Sequence, residues 1–244
     1  CIDDLICKKI AKDFKKKFKS KLILISTKKN KSADITLIDK KDKLQIYNKL
    51  INKKILLNKK DFKFTKAKHN YQNLLAAYAV QFTFQGKQTN FSNAIKSLTN
   101  LEHRMECLGS FKNLTIYNDS KATNMNASLT ALDSLEKSLW ILGGRAKKGD
   151  IEGIKEKKKK ILQAYTFGES GAYLDKYLKR NLIRSQKFLN LKDAINAAYV
   201  DGIKFKKRIN ILFSPACSSY DQFENFEKRG TIFKNLVKKI NAKF

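Results

Sequence analysis

The stretch Asn118-Asp119-Ser120-Lys121-Ala122-Thr123-Asn124 separates two patterns that together predict a strand, a turn and a helix. The apolar run 114–117 precedes it, and apolar residues recur at helical spacing after it, through residue 135. In an open α/β sheet, ligands bind in the crevice at the carboxyl end of such a strand. Asp119 offers an acceptor for sugar hydroxyls, Lys121 a cation for phosphate or carboxylate, and Thr123 a hydroxyl near the helix start. The alternative is an Asx turn and N-cap without a ligand.

Beyond residue 100 the chain alternates between apolar runs and helical patterns. Strands are predicted at 114–117, 139–142, 164–167, near 188 and at 209–213, and helices at 125–135, 151–163, 171–179, 191–203 and 221–240. Such alternation predicts an α/β fold with a mostly parallel, doubly wound sheet. Because crossover connections share one hand, the loops after the strands should meet at one edge, and these loops are 118–124, 143–150, 168–171 and 214–221. Their polar residues therefore mark a candidate site.

The first hundred residues follow a different pattern. Apolar residues at helical spacing predict an amphipathic helix at 5–18, and the run 21–25 predicts a buried strand. Short runs separated by Lys, Asn and Asp predict an antiparallel meander at 35–38, 44–47 and 55–57, and helices are expected at 69–82 and 91–98. The change of pattern near residue 100 divides the chain into the segments 1–100 and 101–244.

The composition limits the classes of protein to consider. The 244 residues are 42% hydrophobic, which suffices for a buried core, and they carry a net charge of +30. A basic nucleic-acid-binding protein is the alternative of another class, and it predicts steeply salt-dependent DNA binding. However, the basic residues are spread along the chain, and only six of the 52 are arginines, the better readers of phosphates and bases. We therefore expect no nucleic-acid partner.

Cysteine usage, hydropathy and the first residue bear on the cellular compartment of the protein and on whether its sequence is a fragment. The four cysteines form no C-x-x-C pair, which argues against structural zinc and a disulfide scaffold and favours a reducing cytosol. No apolar run reaches the roughly 18 residues of a membrane span, so no membrane partner is expected. The chain begins with Cys rather than Met, and we expect a fragment that lacks its N-terminal portion.

Two of the loops that follow strands carry further chemistry. Residues 142–150 end a strand with paired glycines and offer Arg145 and Lys147 to an anion, although a turn with solvated lysines explains them equally well. They match neither G-x-x-x-x-G-K-[ST] nor G-x-G-x-x-G. Residues 214–223 open the last predicted helix, where Ser219 or Asp221 could be the cap. A nucleophilic role for Cys217 has little support, because no histidine lies near it in sequence.

Two more positions offer groups for a ligand. Asn70 and Asn73 lie three residues apart on a predicted helix, where an amide can pair with an adenine edge or cap the helix. Arg104 lies between the two segments, where it can reach a ligand phosphate or form a surface salt bridge.

In their order along the chain, these stretches resemble the motifs of the Mur ligases. They are His69-Asn70-x-x-Asn73, Leu101-Glu102-His103-Arg104, Asn118 to Asn124, Leu142-Gly143-Gly144, and Ser214-Pro215-Ala216-Cys217-x-Ser219-x-Asp221-Gln222-Phe223-x-x-Phe226-x-x-Arg229-Gly230. The resemblance extends from near residue 1 to the C-terminus and is strongest to the D-glutamate-adding members. It implies that 1–100 is the last part of an α/β central, ATP-binding domain and that 101–244 is a Rossmann-like C-terminal domain.

The resemblance also implies a reaction, ATP-dependent amide formation in peptidoglycan precursor synthesis. The carboxylate of UDP-N-acetylmuramoyl-L-alanine is phosphorylated to an acyl phosphate, and the D-glutamate amine then displaces phosphate. Positioning and charge neutralisation carry most of such a reaction. ATP and Mg²⁺ are the implied cofactors, with the P-loop and metal ligands expected upstream of residue 1. We therefore expect no complete catalytic set and no metal site in the fragment, which should be inactive alone.

By resemblance, two groups of residues bind the substrates. The ATP group is Asn73, Arg104, Asp119 and Lys121, and the D-glutamate group is Thr123, Lys147, Ser219, Tyr220 and Phe226. Tyr220 stands where the family often has Leu, Cys1 where an Asn-x-Asp-Asp segment begins with Asn, and Ala67 where a Gly is usual. The implied parent protein is cytoplasmic and monomeric. Another Mur ligase or a folylpolyglutamate synthase-like amide ligase is the alternative within this class, because the Rossmann-like module is shared.

Overall fold

The computed structural model describes residues 1–61, 68–84, 88–98, 101–147 and 153–242. The chain divides into two compact units, Cys1–Asn100 and Leu101–Phe244. This division falls where the sequence pattern changes. Within the described ranges, no helix combines the length and the apolar character needed to cross a lipid bilayer.

The first unit builds a four-stranded sheet and helices around it. Its elements are α1 (Leu5–Lys17), β1 (Ile25–Ser26), β2 (Ile35–Asp39), β3 (Lys43–Asn48), β4 (Lys53–Asn58), α2 (Lys68–Thr83) and α3 (Gln88–Ser97). The strands lie in the order β1-β2-β3-β4, with β1 parallel to β2 and the other pairs antiparallel. The predicted meander is confirmed.

The predicted strand at 21–25 is wrong, because only Ile25 and Ser26 pair with β2. The Leu24 amide instead donates to the Asp34 carboxylate at 2.8 Å, so this amide makes no backbone hydrogen bond to β2. The core of the unit forms where alternate side chains of β2 to β4 pack on α2 and α3. The strands contribute Ile35, Leu37, Leu44 and Ile46, and α2 contributes Leu75 and Tyr78. The predicted amphipathic helix α1 is present, and none of its residues is buried.

The second unit is a six-stranded sheet with helices on both faces. Its elements are β5 (Glu106–Phe111), β6 (Leu114–Asn118), α4 (Met125–Asp133), β7 (Ser138–Gly143), β8 (Ile161–Phe167), α5 (Gly171–Arg180), β9 (Ser185–Lys187), α6 (Leu191–Gly202), β10 (Ile209–Phe213) and α7 (Phe226–Asn241). The strand order is β5-β6-β10-β7-β8-β9, and every pair is parallel except β5 with β6. The predicted mostly parallel, Rossmann-like α/β sheet is confirmed.

Alternation along β7 shows how the two faces are covered. Trp140 and Leu142 pack towards the helices α4 and α5, whereas Leu139 and Ile141 pack towards α6 and α7. All four side chains are fully buried, as expected for a central strand of a parallel sheet covered on both sides.

Three details of the second unit differ from the prediction. The edge strand β5 was not predicted, because Glu106–Phe111 has no apolar run and mostly exposed or half-buried side chains. The helix predicted at 151–163 is wrong for its described part: Ile154–Lys160 forms a 3₁₀ helix of mainly lysines, and Ile161 already belongs to β8. The last helix begins at Phe226 rather than 221, and its cap is Asn225, whose side chain accepts from the Lys228 amide at 2.7 Å.

Candidate active site at the carboxyl edge of the parallel sheet

The loop after β6 is anchored to the neighbouring strand β10 at its first residue. The Asp119 amide donates to the Phe213 carbonyl at 2.7 Å, which continues the parallel pairing of the two strands. The loop ends at Asn124, whose side chain accepts from the Ala127 amide at 2.9 Å and so caps α4. The N-cap interpretation of this stretch is therefore correct for Asn124. It does not exclude a ligand, because Lys121 and Thr123 stay half-exposed.

Asp119 lies below the surface of this edge, with 7% of its area exposed. One carboxylate oxygen accepts from the Met105 amide at 3.1 Å and the other from the Ser214 hydroxyl at 2.8 Å. Burial raises the pKa of Asp119 to about 6, although these two hydrogen bonds and the charge of Arg104 act in the opposite direction. The carboxylate therefore joins β6, β10 and the segment before β5.

Lys121 and Phe226 are in direct contact, although the family resemblance assigns them to different substrates. The Lys121 ammonium lies 3.7 Å from the centre of the Phe226 ring, within the range of a cation–π interaction. Next to Lys121, Ser120 donates its hydroxyl to the Phe226 carbonyl at 2.8 Å. Phe226 is the first residue of α7, and the free amides at a helix N-terminus attract anions. A cation thus lies beside the first residue of a helix.

The loop after β7 is built on two glycines that no other residue can replace without strain. Gly143 and Gly144 have φ values of 150° and 124°, and a Cβ on Gly144 would overlap the Ser218 carbonyl. Arg145 then pairs with Ser218 through both backbone groups at 3.0 Å each. This close approach joins the loops that follow β7 and β10.

Two cations of the loop after β7, Arg145 and Lys147, are among the described residues and have different surroundings. Arg145, which the sequence offered as an anion binder, donates to the Glu169 carboxylate at 2.9 Å and so is occupied by the loop after β8. The Ala146 amide donates to the Ser170 hydroxyl at 2.8 Å, which fixes the backbone just before Lys147. Lys147 itself is exposed at the same edge, so its ammonium is accessible to a ligand.

The loop after β10 carries the remaining candidate residues. Ser219 is only 2% exposed, whereas Tyr220 is 67% exposed. Asp221 accepts from the Glu169 amide at 3.0 Å through one oxygen, while its other oxygen is buried without a hydrogen-bond partner. Cys217 is 1% exposed, which disfavours its use as a nucleophile.

Arg229 holds two of these loops together, a role that the sequence analysis missed. Its side chain is fully buried and donates to the Ser120 hydroxyl at 3.0 Å, the Ser120 carbonyl at 2.8 Å and the Cys217 carbonyl at 3.0 Å. Burial lowers its pKa to about 10, against the raising influence of Cys217 and Asp221. The only sequence signal was its place in the long motif, because an arginine on an amphipathic helix normally faces solvent.

The structure therefore brings most of the predicted residues to one edge. Those on the loops after β6, β7 and β10, or at the start of α7, are Asp119, Lys121, Thr123, Lys147, Ser219, Tyr220 and Phe226. Arg104 is exposed, just before β5 and close enough to Asp119 to influence its pKa. Asn73 lies exposed on α2 of the first unit. His69, which also carried the resemblance, belongs to α2, but its side chain lies outside the described part of the chain, as does Ala67, a departure from the family pattern.

Comparison with curated relatives shows the family of the chain. The chain is 38% identical over 239 residues to the UDP-N-acetylmuramoylalanine–D-glutamate ligase of Rickettsia prowazekii, a match that covers 98% of the chain. The chain belongs to the Mur ligase family. The ligase of the same name from Wolbachia pipientis wMel is 37% identical over 171 residues, or 70% of the chain. The chain spans about half the length of the curated Mur ligases that match it nearly end to end, 52% in the Rickettsia prowazekii protein. No family model matches the chain.

Solved structures agree with the Mur ligase fold at low sequence identity. The UDP-N-acetylmuramate–alanine ligase MurC of Thermotoga maritima is similar with a TM-score of 0.58 at 12% identity, covering 88% of this chain and 47% of that one. Escherichia coli FolC in complex with ADP is similar with a TM-score of 0.62 at 14% identity, covering 94% of this chain and 51% of that one. At these identities the similarity shows the fold alone.

Proposed function

We propose that this chain is part of an ATP-dependent ligase that adds D-glutamate to UDP-N-acetylmuramoyl-L-alanine in peptidoglycan precursor synthesis. The observation that carries the proposal is the convergence of the loops after β6, β7 and β10 on one edge of a parallel sheet. Accessible ammonium groups lie at this edge, on Lys121 and Lys147. The similarity to curated ligases of this name over 98% of the chain supports the same conclusion.

The edge suits an amino acid with two carboxylates. Lys147 supplies a positive charge to a carboxylate, and charge-assisted hydrogen bonds to carboxylates are among the strong ones in proteins. We assign the Thr123 hydroxyl, Ser219 and the N-terminal turn of α7 at Phe226 to the same substrate, with Tyr220 as the exposed wall of the site. These groups would hold the amine close to an activated carboxylate, and such positioning accounts for much of the acceleration in amide formation.

The residues that we assign to the nucleotide come from both segments of the sequence. We propose that residues 1–100 are the last part of the central, ATP-binding domain, and that residues 101–244 are the C-terminal domain. Asn73 would contact adenine, while Arg104, Asp119 and Lys121 would serve phosphate and ribose. ATP supplies the phosphoryl group that activates the acceptor carboxylate. The sequence has no G-x-x-x-x-G-K-[ST] motif, so the rest of the ligase would have to supply that phosphate-binding loop.

Magnesium does not fit the residues present. Within the described ranges, no group of three or more His, Cys, Asp and Glu side chains lies close enough to hold a metal ion. We therefore assign no metal ligand and no metal-dependent step to this chain.

We further propose that the complete ligase is cytoplasmic and that it is a monomer. Size-exclusion chromatography with light scattering would test the oligomeric state.

The experiment that tests the proposal measures product formation by the full-length protein that contains this chain. With UDP-N-acetylmuramoyl-L-alanine and ATP, we expect ADP release and a product heavier by one glutamate with D-glutamate, and neither with L-glutamate. Turnover with another amino acid and another UDP-linked acceptor would favour the alternative, a different Mur ligase. Folate-dependent addition of glutamate would favour an enzyme like FolC. Absence of turnover with every acceptor would refute the proposal.

A further inference from the structure

Basic residues concentrate at the amino edge of the second sheet, the edge opposite the candidate active site. There β8, β9 and β10 are each preceded by a basic segment, 155–160, 179–184 and 204–208. Together these segments hold twelve Lys and Arg residues and one Glu. The four loops at the carboxyl edge, in their described part, hold three basic and three acidic residues. A lysine-rich composition alone would charge both edges alike, so the fold itself separates the charge.

The three basic segments form one surface because their strands are close neighbours. The strand order at this end of the sheet is β10-β7-β8-β9. Lys137, just before β7, donates from its ammonium to the Lys159 carbonyl at 2.7 Å, and the Arg184 carbonyl accepts from an amide of β8 at 2.9 Å. The Asn113 side chain holds the third segment by donating to the Phe205 carbonyl at 2.9 Å. The amino edge is therefore a continuous basic surface.

Most of this positive charge faces solvent. Ten of the twelve basic residues are exposed, and the other two are half-buried. Three of the twelve pair with a carboxylate on a nearby helix of the same unit: Lys157, Lys179 and Lys204. The edge keeps a large positive excess after these pairs are counted. Such a surface attracts a partner whose negative charges are spread over an area rather than concentrated in one group.

Two apolar side chains lie among the cations. Leu182 is 75% exposed and Phe205 is 39% exposed. Leu182 follows α5 with a φ of 59°, the left-handed conformation in which helices usually end on glycine. Its neighbour Ile183 is buried and already supplies the apolar contact of this turn, so Leu182 adds little to the packing of the unit. A strained, exposed leucine between basic residues indicates an apolar contact outside the protein.

A cavity of about 520 Å³ lies beside Leu182 at the same edge. Lys179 and Arg184 line it together with Leu182, Gln163 and Gln186. Two cations, two amides and a leucine around one cavity suit a phosphate that carries an apolar chain. This is the chemistry of a phospholipid headgroup.

We infer that the amino edge docks on an anionic phospholipid bilayer, with its cations over the headgroup phosphates and Leu182 and Phe205 at the boundary of the acyl chains. Nine of the twelve basic residues are lysines, which bind such a surface as point charges, whereas base reading favours arginine. An exposed leucine gains free energy at the lipid boundary and little on a nucleic acid.

Docking through this edge is compatible with the other features of the second unit. The carboxyl edge, at the opposite end of the sheet, stays open to its substrates. The sequence analysis expected no membrane partner because it found no run long enough to span a bilayer, and surface binding needs no such run. The inference goes beyond the proposed ligase activity and does not depend on it.

The first test is sedimentation of the full-length protein that contains this chain with lipid vesicles. Vesicles with about 30% phosphatidylglycerol in phosphatidylcholine present the negative surface, and pure phosphatidylcholine vesicles are the reference. We expect the partition coefficient to be at least about twentyfold higher on the anionic vesicles at about 0.1 M salt. It should fall at least about tenfold at about 0.5 M salt, because salt screens exposed charges. Equal binding to both kinds of vesicle would overturn the inference.

A charge-matched pair of variants locates the binding surface. The edge variant removes one cation from each basic segment: Lys158→Ala, Arg184→Ala and Lys207→Ala. The control removes three exposed cations from α1, the basic helix of the first unit that also has exposed apolar residues: Lys8→Ala, Lys12→Ala and Lys16→Ala. The edge variant should lower the partition coefficient on anionic vesicles at least about tenfold, and the control less than about twofold. An equal or larger loss in the control would assign the binding to α1 and overturn the inference.

Leu182→Gly separates binding from folding. Glycine adopts the left-handed conformation without strain, so urea unfolding of the 244-residue chain, followed by Trp140 fluorescence, should give a midpoint equal to or above that of the wild type. Binding to anionic vesicles should nevertheless fall about threefold, because the apolar contact is lost. Tighter binding to a DNA duplex than to these vesicles, with no effect of Leu182→Gly on either, would identify a nucleic-acid partner and overturn the inference.

Discussion

Replacing Arg229 with methionine tests whether the two loops of the site depend on one buried side chain. Arg229 donates three hydrogen bonds, two to Ser120 and one to the Cys217 carbonyl, and it is fully buried. Methionine has a similar length and no donor. The Arg229→Met protein therefore keeps most of the volume of the side chain and loses all three hydrogen bonds.

The expected loss of stability follows from the groups left behind. The two carbonyls and the Ser120 hydroxyl lose a donor, and a buried polar group without its partner costs about 1–3 kcal/mol. Removing a buried charge offsets part of this loss, and the lowered pKa of Arg229 shows that burial disfavours its charged form. The net decrease in the free energy of unfolding should be about 2–4 kcal/mol.

Trp140 makes the measurement specific to the second unit. It is the only tryptophan of the chain, it is fully buried, and its indole nitrogen donates to the Ser214 carbonyl at 2.8 Å, close to the loops in question. In urea unfolding followed by its fluorescence, a loss of about 3 kcal/mol should lower the midpoint by about 1–2 M for a slope of about 2 kcal/mol per M. Arg208→Met, at an exposed arginine before β10, is the control and should change stability by less than about 0.5 kcal/mol.

Arg229→Lys separates the charge from the geometry. A single ammonium keeps the charge but cannot reproduce the planar fork that reaches both loops, so we expect it to lose about half as much stability as methionine. The reasoning would be refuted if Arg229→Met lost less than about 1 kcal/mol, or if lysine fully restored the wild-type midpoint.

Three further predictions concern the same unit. Because burial raises the pKa of Asp119 to about 6, the folded chain holds this proton more tightly than the unfolded chain. Loss of the proton between about pH 4 and about pH 6 therefore lowers the free energy of unfolding. The unfolding free energy of the wild type relative to Asp119→Asn should therefore fall by about 2–3 kcal/mol between pH 4 and pH 7, and a constant difference would contradict the assignment. Gly144→Ala should lower the free energy of unfolding by more than about 3 kcal/mol, because the new Cβ would overlap the Ser218 carbonyl. Gly109→Ala, with φ 110° and open space around the residue, should lower it by only about 1–2 kcal/mol. Equal urea midpoints for the two variants would refute this prediction. In the folded chain a thiol reagent should label the exposed Cys7 and Cys107 rapidly and Cys217 only after unfolding, and mass spectrometry of peptides would reveal early labelling of Cys217 if its burial were wrong.

Much of the fold follows from local patterns in the sequence. The strand, polar turn and helix around 118–124 are found as predicted, because the apolar run, the Asn124 cap and the helical spacing all favour the same structure. The position of the loops at one edge also follows, since parallel strands joined by crossovers of one hand leave no other arrangement. Neither inference needs a tertiary contact.

The edge strand β5 and the roles of Asp119 and Arg229 could not be predicted in this way. β5 pairs through its backbone, and its side chains carry no apolar pattern. In the sequence, Asp119 resembles an acidic residue in an exposed turn, and Arg229 resembles a basic residue on the solvent-facing side of a helix. Only packing against distant segments buries them. The contact of Lys121 with Phe226 likewise joins residues about a hundred positions apart.

We propose that the carboxyl edge of the second sheet binds the carboxylates of an incoming amino acid. The most direct measurement is the KM for D-glutamate in the full-length ligase with Lys147→Ala, beside a control that removes an equal charge, Lys206→Ala, at the opposite edge before β10. Loss of a charge-assisted hydrogen bond worth about 1.5–3 kcal/mol predicts a KM for D-glutamate raised about ten- to a hundredfold in Lys147→Ala, with the KM for ATP and the Lys206→Ala protein unchanged. Equal D-glutamate kinetics in the two variants would contradict the account.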